Sequence, residues 1–113
     1  MKDSRLYLKD ILEAIEAIEK FIKDKDFETF RKNDMISSAV IRKLEIIGEA
    51  SKNIPDDIRK KYPDMPWKDM TGMRDRLIHF YFSIKYDIIW NTVKNDISRV
   101  KLLIKRILKD MEK

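Results

Sequence analysis

The sequence predicts an all-α fold, an antiparallel bundle of four to five helices, from its composition, its apolar periodicity and its short polar breaks. Of the 113 residues, 40% are charged and only two are glycine, a composition typical of long helices. Apolar residues recur at spacings of three and four through most of the chain. Since no repeat or linker divides these stretches, we expect a single domain over residues 1–113.

The first amphipathic stretch runs from Ser4 to about Lys23 and predicts a helix with Asp3 or Ser4 as its N-cap. A polar break follows at residues 23–26, and residues 27–30 then indicate a short turn of helix. The apolar positions of the first stretch share one helix face. They are Leu8, Ile11, Leu12, Ile15, Ile18 and Ile22.

A second amphipathic stretch covers residues 35–52 and is expected to follow Asp34 as its cap. It contains Gly48, which permits a close contact with another helix at a propensity cost of about 1 kcal/mol. Pro55 and Pro63 then bound a short charged segment, with Pro55 suited to a first helical position. The inward positions of the stretch are Ile36, Val40, Leu44, Ile47 and Ser51.

Two further helices are predicted in the second half of the chain. One starts at Pro66 and Trp67 and contains the only histidine, His79. The other begins near Tyr86 or Asp87 and runs almost to the end, with an apolar seam of period 3.5. The seam consists of Trp90, Val93, Ile97, Val100, Ile104, Ile107 and Met111.

The apolar stripe of the last helix is wider than one helix contact requires, because Leu102, Leu103 and Leu108 lie off the seam. A bundle core together with a contact to a second copy of the chain would use both surfaces. We therefore predict a homodimer.

Positive charge is concentrated in the second half of the chain. Residues 1–56 contain 11 Lys or Arg and 12 Asp or Glu, whereas residues 57–113 contain 14 and 8. Basic clustering of this kind accompanies phosphate binding, although charge alone favours a solvated lysine-rich surface.

Several function classes are excluded or disfavoured by what the sequence lacks. The absence of cysteine excludes thiolate metal sites and thiol catalysis, and it fits a reducing cytoplasm. No apolar run approaches the ~18 residues of a membrane span, and the start of the chain has no signal-peptide pattern. With no Gly-rich phosphate loop and a single histidine, we expect a cytoplasmic protein without membrane partner, metal site or cofactor.

Residues 73–82 concentrate the residue types of phosphate chemistry, with Arg74, Asp75, His79 and Tyr81 close together. Arginine offers a planar fork of donors to a phosphate, and histidine exchanges protons near neutral pH. An adjacent carboxylate can orient either group. Together they could cleave RNA without a metal, through attack of the RNA's own 2′-hydroxyl.

Helical geometry limits this hypothesis, because five positions leave Arg74 and His79 about 140° apart on one helix. Tyr81 returns to nearly the face of Arg74, two turns along. A site that uses all three needs a distorted helix end or a symmetry mate. From these residues alone, a partly buried histidine and an ion-paired surface arginine remain an alternative.

Arg74-Asp75-Arg76-Leu77-Ile78-His79-Phe80-Tyr81 resembles the Arg-x4-His-x-Tyr signature of HepT-like toxins of the HEPN superfamily. The surroundings are similar to the family as well: Pro66-Trp67 and Gly72-Met73 before the signature, Tyr86-Asp87-Ile88-Ile89-Trp90 after it, and Ile47-Gly48-Glu49-Ala50 earlier. The resemblance spans nearly the whole chain.

The resemblance implies an all-α dimer in which two copies of the signature face a common cleft. Arg74 would be the catalytic phosphate-binding arginine, Asp75 its polar support and His79 the general acid/base of a metal-independent endoribonuclease. The implied partner, besides the RNA substrate, is an MntA-type nucleotidyltransferase antitoxin that neutralises the toxin by adding AMP to Tyr81. Arg76 is outside the signature, and its spacing from Arg74 suggests another face.

Two other functions remain open. In the first, the same cleft is a non-catalytic module that binds a nucleotide or a nucleotidyltransferase. In the second, the protein is a simple helical dimerisation module, which would leave the polar cluster unexplained. The presence of both arginine and histidine favours the nuclease, because a scaffold would not require both.

Overall fold

The computed structural model describes residues 3–79 and 85–112, and of residues 78 and 79 it describes the backbone alone. Within these ranges the chain is almost entirely helical and contains no strand, so the predicted all-α bundle is confirmed. The helices are α1 (Ser4–Ile22), α2 (Phe27–Lys32), α3 (Asp34–Lys52), α4 (Asp56–Lys61), α5 (Trp67–His79), α6 (Tyr86–Asn91), a π-helical segment (Thr92–Asp96) and α7 (Ile97–Met111).

Helix α1 forms as predicted, because its apolar residues share one face and its first turn is capped. The Asp3 carboxylate accepts a hydrogen bond from the backbone N–H of Arg5 at 2.8 Å, which identifies Asp3 rather than Ser4 as the N-cap. The helix packs on α3 and on α7. Its buried residues are Leu8, Ile11, Ala14, Ile15, Ile18 and Ile22.

Two predicted helix starts are displaced by one residue. Asn33, not Asp34, caps α3: its backbone is extended, and its side-chain oxygen accepts from the N–H of Ile36 at 3.0 Å. Asp34 is instead the first helical residue, where its negative carboxylate interacts favourably with the positive end of the helix dipole. Pro55 likewise lies at the N-cap of α4 instead of its first helical position, with an extended backbone.

The last predicted helix is a continuous helical rod with one irregularity that the sequence pattern did not predict. Between α6 and α7, the turn at Thr92–Asp96 is π-helical. Ile89, Val93 and Ile97 are all buried, and in a regular α-helix each step of four residues would rotate the side chain 40° further from the core. The wider π turn reduces this rotation, which keeps the three residues on the core side.

Most of the predicted seam is buried, and most of the stripe beside it also packs within the chain. Trp90 and Met111, at the two ends of the seam, are partly buried against the core. Leu103 and Leu108 are partly buried as well, whereas Leu102 is 69% exposed. Of the three leucines beside the seam, only Leu102 is therefore left largely exposed. The dimer remains a prediction.

Long-range contacts hold α1, α3, α5 and α7 together around one core. Glu19, near the end of α1, accepts a hydrogen bond from Lys101, near the start of α7, at 2.7 Å. This pairing is the arrangement expected for antiparallel neighbours. The hydrogen bond raises the pKa of the Lys101 ammonium above its usual value. In the part of the chain that the structure describes, no helix is long and apolar enough to span a membrane.

Candidate functional site: an arginine-centred polar cluster between α3 and α5

Two of the predicted site residues, Arg74 and Asp75, lie where α5 approaches α3 closely at Gly48. A Cβ atom added to Gly48 would lie 2.9 Å from the backbone nitrogen of Arg74, 3.1 Å from its Cβ and 3.2 Å from the carbonyl oxygen of Met70. No side chain other than hydrogen fits this space. The close helix contact predicted for Gly48 is therefore confirmed. It is made with Arg74, the first residue of the predicted site.

Arg74 is paired with the neighbouring helix through one edge of its guanidinium. Its Nε contacts Oε1 of Glu49, the residue that follows Gly48 on α3. The Arg74 side chain is 38% exposed, so a substantial part of the guanidinium still faces solvent. An arginine held at Nε retains the donors on its Nη atoms, which are those that form a fork with a phosphate.

Asp75 is held by the same two helices. Lys52 of α3 donates from Nζ to both carboxylate oxygens of Asp75, at 3.1 and 3.2 Å. The carboxylate Oδ1 lies 3.6 Å from Nη1 of Arg74. Charges therefore alternate along the surface from Glu49 to Arg74, Asp75 and Lys52. We refer to these four residues as the α3–α5 charge cluster.

Arg76 points to a different surface, as its spacing from Arg74 predicted. Its Nη2 donates to the backbone carbonyl of Asp69 at 2.9 Å. The side chain also lines a cavity of about 370 Å³ between α3, α5 and the π-helical segment, with Met70 and Met73 among its apolar walls. Arg74 does not line this cavity.

His79 is the last residue of α5, so the backbone of Arg74 and His79 belongs to one helix. The side chain of His79 and the whole of Tyr81 lie outside the described residues. For their side chains, a separation of about 140° stays the expectation from a regular helix. Among the described residues, no group of three or more His, Cys, Asp or Glu side chains could hold a metal ion.

Sequence reasoning missed Glu49 and Lys52 as residues of the site, although the segment containing Glu49 had been singled out. Their spacing could have indicated them, because residues three apart share a helix face and Gly48 predicted a helix contact beside that face. The sequence did not show that α5 is the helix that makes this contact. Arginine and lysine on an open surface can bind a phosphodiester and stabilise negative charge on it, and a neighbouring carboxylate can orient them.

Fold and site together define an all-α bundle of the HEPN-like kind, with an arginine-centred polar cluster on the helix that ends in the histidine. Within this class the assignment is specific: a family model described as ribonuclease HepT-like matches residues 11–107. The chain belongs to the HepT-like ribonuclease family.

Relatives from three organisms match most of the chain. A provisionally named RNase of Methanocaldococcus jannaschii is 49% identical over 98% of this chain and 96% of its own length. A Thermococcus cleftensis protein named a probable ribonuclease HepT is 53% identical over 84% of this chain and 86% of its own. A provisionally named RNase of Caldanaerobacter subterraneus is 44% identical over 96% of each chain. No solved structure matches the chain.

Proposed function

We propose that this protein is the toxin of a toxin–antitoxin pair, a metal-independent endoribonuclease that acts in the cytoplasm as a homodimer. Membership of a family described as ribonucleases supports cleavage of RNA. The observation that carries the proposal is the half-exposed Arg74 guanidinium, which is held through Nε on the helix that ends in His79. Its Nη donors, of which Nη1 lies 3.6 Å from Oδ1 of Asp75, suit the phosphodiester of an RNA strand.

In the proposed reaction, the 2′-hydroxyl of a ribose attacks the adjacent phosphorus. His79 takes the proton of that hydroxyl, and Arg74 stabilises the negative charge that develops on the phosphate oxygens. The bond from phosphorus to the 5′-oxygen of the next nucleotide breaks. That oxygen takes a proton from solvent or from the second histidine of the dimer. The products are a cyclic phosphate and a free 5′-hydroxyl, and Asp75 supports Arg74 throughout.

Substitution of the two proposed catalytic side chains tests the nuclease. His79→Ala and Arg74→Ala should each abolish cleavage and growth inhibition while helicity and dimerisation are retained. The parent should form cyclic-phosphate products in the presence of EDTA. Cleavage at the parental rate by both variants would reject the nuclease, whereas unfolding of His79→Ala would show that the histidine has a structural role.

We further propose that an MntA-type nucleotidyltransferase neutralises the toxin by adding AMP to Tyr81. The added nucleotide would bring bulk and a negative phosphodiester to the RNA-binding cleft, where it would compete for Arg74. Tyr81→Phe should keep most of its nuclease activity yet escape neutralisation by the co-expressed partner. Intact-mass spectrometry with the partner, ATP and magnesium tests this, and equal labelling of the parent and Tyr81→Phe would contradict it.

The second candidate function is a module that binds a nucleotide or a nucleotidyltransferase without cleaving RNA. The observation that favours it over cleavage is the pairing of Arg74 with two carboxylates, Glu49 and Asp75, which weakens its ability to stabilise the extra charge of a phosphodiester under attack. Binding of a nucleotide by a parent chain that leaves RNA intact would support this function over the nuclease.

A further inference from the structure

We infer that Glu49 and Lys52, on α3, are positioning residues for Arg74 and Asp75, so that the site is built by two helices rather than by the signature helix alone. This inference rests on the proposed nuclease function. It assigns a role to two residues that lie more than 20 positions before the signature.

The contacts of Glu49 determine the orientation of the Arg74 fork. A guanidinium has one donor on Nε and two on each Nη atom, and a phosphate is bound best by two parallel donors. Glu49 occupies Nε. With that edge engaged, the side chain presents its Nη donors rather than Nε to a substrate. A phosphate would therefore meet a preoriented fork, which costs less side-chain entropy than a free arginine.

Lys52 performs the corresponding task for Asp75. Neighbouring residues on a helix point in different directions, so Asp75 has no intrinsic tendency to face Arg74. The two hydrogen bonds from Lys52 hold the Asp75 carboxylate near Nη1 of Arg74. Lys52 also places a positive charge beside the aspartate, which offsets the repulsion between that carboxylate and an incoming phosphate.

The exposure of the cluster indicates that these ion pairs orient the side chains more than they stabilise the fold. The side chains of Glu49 and Asp75 are 49% and 63% exposed, and surface ion pairs of this kind contribute only about 0–1 kcal/mol. The close approach of the helices is maintained by Gly48 and by core packing instead. Removal of the Glu49 charge should therefore leave the fold intact.

The test compares Glu49→Gln with Glu45→Gln in the full-length chain. Glu45 lies one turn earlier on α3, where it pairs with Arg42 at 3.5 Å, so the control removes an equivalent charge from a pair outside the cluster. We expect Glu49→Gln to lower kcat for RNA cleavage by about tenfold to a hundredfold, because misplaced catalytic groups lose rate on this scale. Its Kd for a non-cleavable 2′-O-methyl RNA should change by less than about threefold, since phosphate contacts are spread along the strand. Glu45→Gln should match the parent in both quantities.

A second pair of variants tests the lysine. Lys52→Gln should reduce kcat in the same direction as Glu49→Gln, whereas Lys60→Gln, which removes an exposed lysine from α4, should not. An unchanged kcat in Lys52→Gln would reject its positioning role.

A spectroscopic measurement separates failure of this inference from failure of the nuclease. The Nε–H proton of Arg74 can be assigned by NMR as the signal that disappears in Arg74→Lys. Because it is paired with a carboxylate, it should exchange slowly with water in the parent and in Glu45→Gln, and rapidly in Glu49→Gln. Slow exchange that persists in Glu49→Gln would overturn the inference whatever the nuclease activity.

The remaining outcomes also discriminate. An increased kcat in Glu49→Gln would overturn the inference, because Glu49 would then restrain Arg74 rather than position it. Accelerated exchange in Glu49→Gln, combined with a parent chain that cleaves no RNA, would reject the proposed function and the positioning role of Glu49 in it, while the ion pair itself would stand.

Discussion

At the scale of single residues, Gly48 and Gly72 show how differently two helical glycines can contribute. A side chain at Gly48 would collide with the backbone of Arg74 and Met70, whereas one at Gly72 would meet only the end of the Arg76 side chain, at 3.3 Å. Backbone atoms cannot move without displacing α5, while the guanidinium of a flexible arginine can. Gly48 is thus a packing requirement, and Gly72 is not.

We predict opposite effects for alanine at these two positions. In Gly48→Ala, overpacking costs about 1–3 kcal/mol, which exceeds the helix-propensity gain of about 1 kcal/mol. In Gly72→Ala the gain in helix propensity is largely retained, so the free energy of unfolding of this matched variant should be unchanged or slightly higher. Urea denaturation followed by circular dichroism measures both free energies of unfolding. A Gly48→Ala variant as stable as Gly72→Ala would contradict the close helix contact.

The same substitution should separate packing from chemistry in the site. Because Gly48 contacts the backbone of Arg74, Gly48→Ala should displace the guanidinium from Glu49 and reduce RNA cleavage beyond its effect on stability. Gly72→Ala should cleave RNA at nearly the parental rate. Equal activity of both variants under conditions where both are folded would show that the α3–α5 distance does not matter for catalysis.

At the scale of helices, the start of α3 depends on one side chain. The Asn33 side chain satisfies the N–H of Ile36, while Asp34 contributes only through the helix dipole. We predict that Asn33→Ala lowers the free energy of unfolding by about 1 kcal/mol. Asp34→Ala should cost less, about 0.5 kcal/mol or below. If urea denaturation showed that Asp34→Ala loses more free energy of unfolding than Asn33→Ala, Asp34 would be the N-cap after all.

A second element-scale contact joins the end of α4 to α7. The buried Tyr62 hydroxyl donates to Oδ2 of Asp110 at 2.8 Å. This hydrogen bond, together with burial, raises the pKa of the Tyr62 phenol above its usual value. Because the folded-state pKa is the higher one, the contribution of Tyr62 to stability is fully present below about pH 10, the unfolded value, and is lost as pH rises through the folded value.

Tyr62→Phe tests this contact, since the ring is kept and only the hydroxyl is removed. Near neutral pH the variant should be less stable than the parent by about 1.5–3 kcal/mol, the range for a hydrogen bond to a charged group. The difference should shrink as pH rises above about 10. The other tyrosines are common to both proteins and cancel in the comparison. A difference that grows with alkaline pH would contradict the predicted direction of the pKa shift.

At the scale of the whole molecule, we predict that the proposed site requires more than one chain. Arg74 and His79 belong to one helix, and five residues of a regular helix turn by about 140°, so we expect that one copy does not bring both side chains to the same phosphate. A two-fold dimer would supply the missing geometry by facing two copies of α5 across a cleft.

Complementation between inactive variants measures this directly. If the arginine of one chain works with the histidine of the other, mixing Arg74→Ala with His79→Ala should restore part of the RNA cleavage that each lacks alone. Light scattering should give the parent twice the 13.6 kDa mass of one chain. A monomeric mass would reject the dimer, and a dimer without complementation would confine each site to a single chain.

Much of the fold could be predicted because it depends on local rules. The inward faces of α1 and α3, the short helix α2, the start of α5 at Trp67 and the start of α6 at Tyr86 all follow from periodicity, caps and proline positions. Errors in the helix boundaries were confined to single residues at helix starts, as at Asn33 and Asp34, which carry equally suitable side chains. The π turn was missed because the seam of period 3.5 gave no reason to expect it.

By itself, the sequence determined the helical class of this protein, its inward residues and its family, since these depend on composition, periodicity and an uninterrupted signature. Only the tertiary structure decided that Gly48 meets Arg74, and that Glu49 and Lys52 hold Arg74 and Asp75. The physical reason is the distance along the sequence over which the interactions act. Helix formation is governed by neighbours within about four residues, whereas the charge cluster joins residues more than 20 apart through packing that no local pattern encodes.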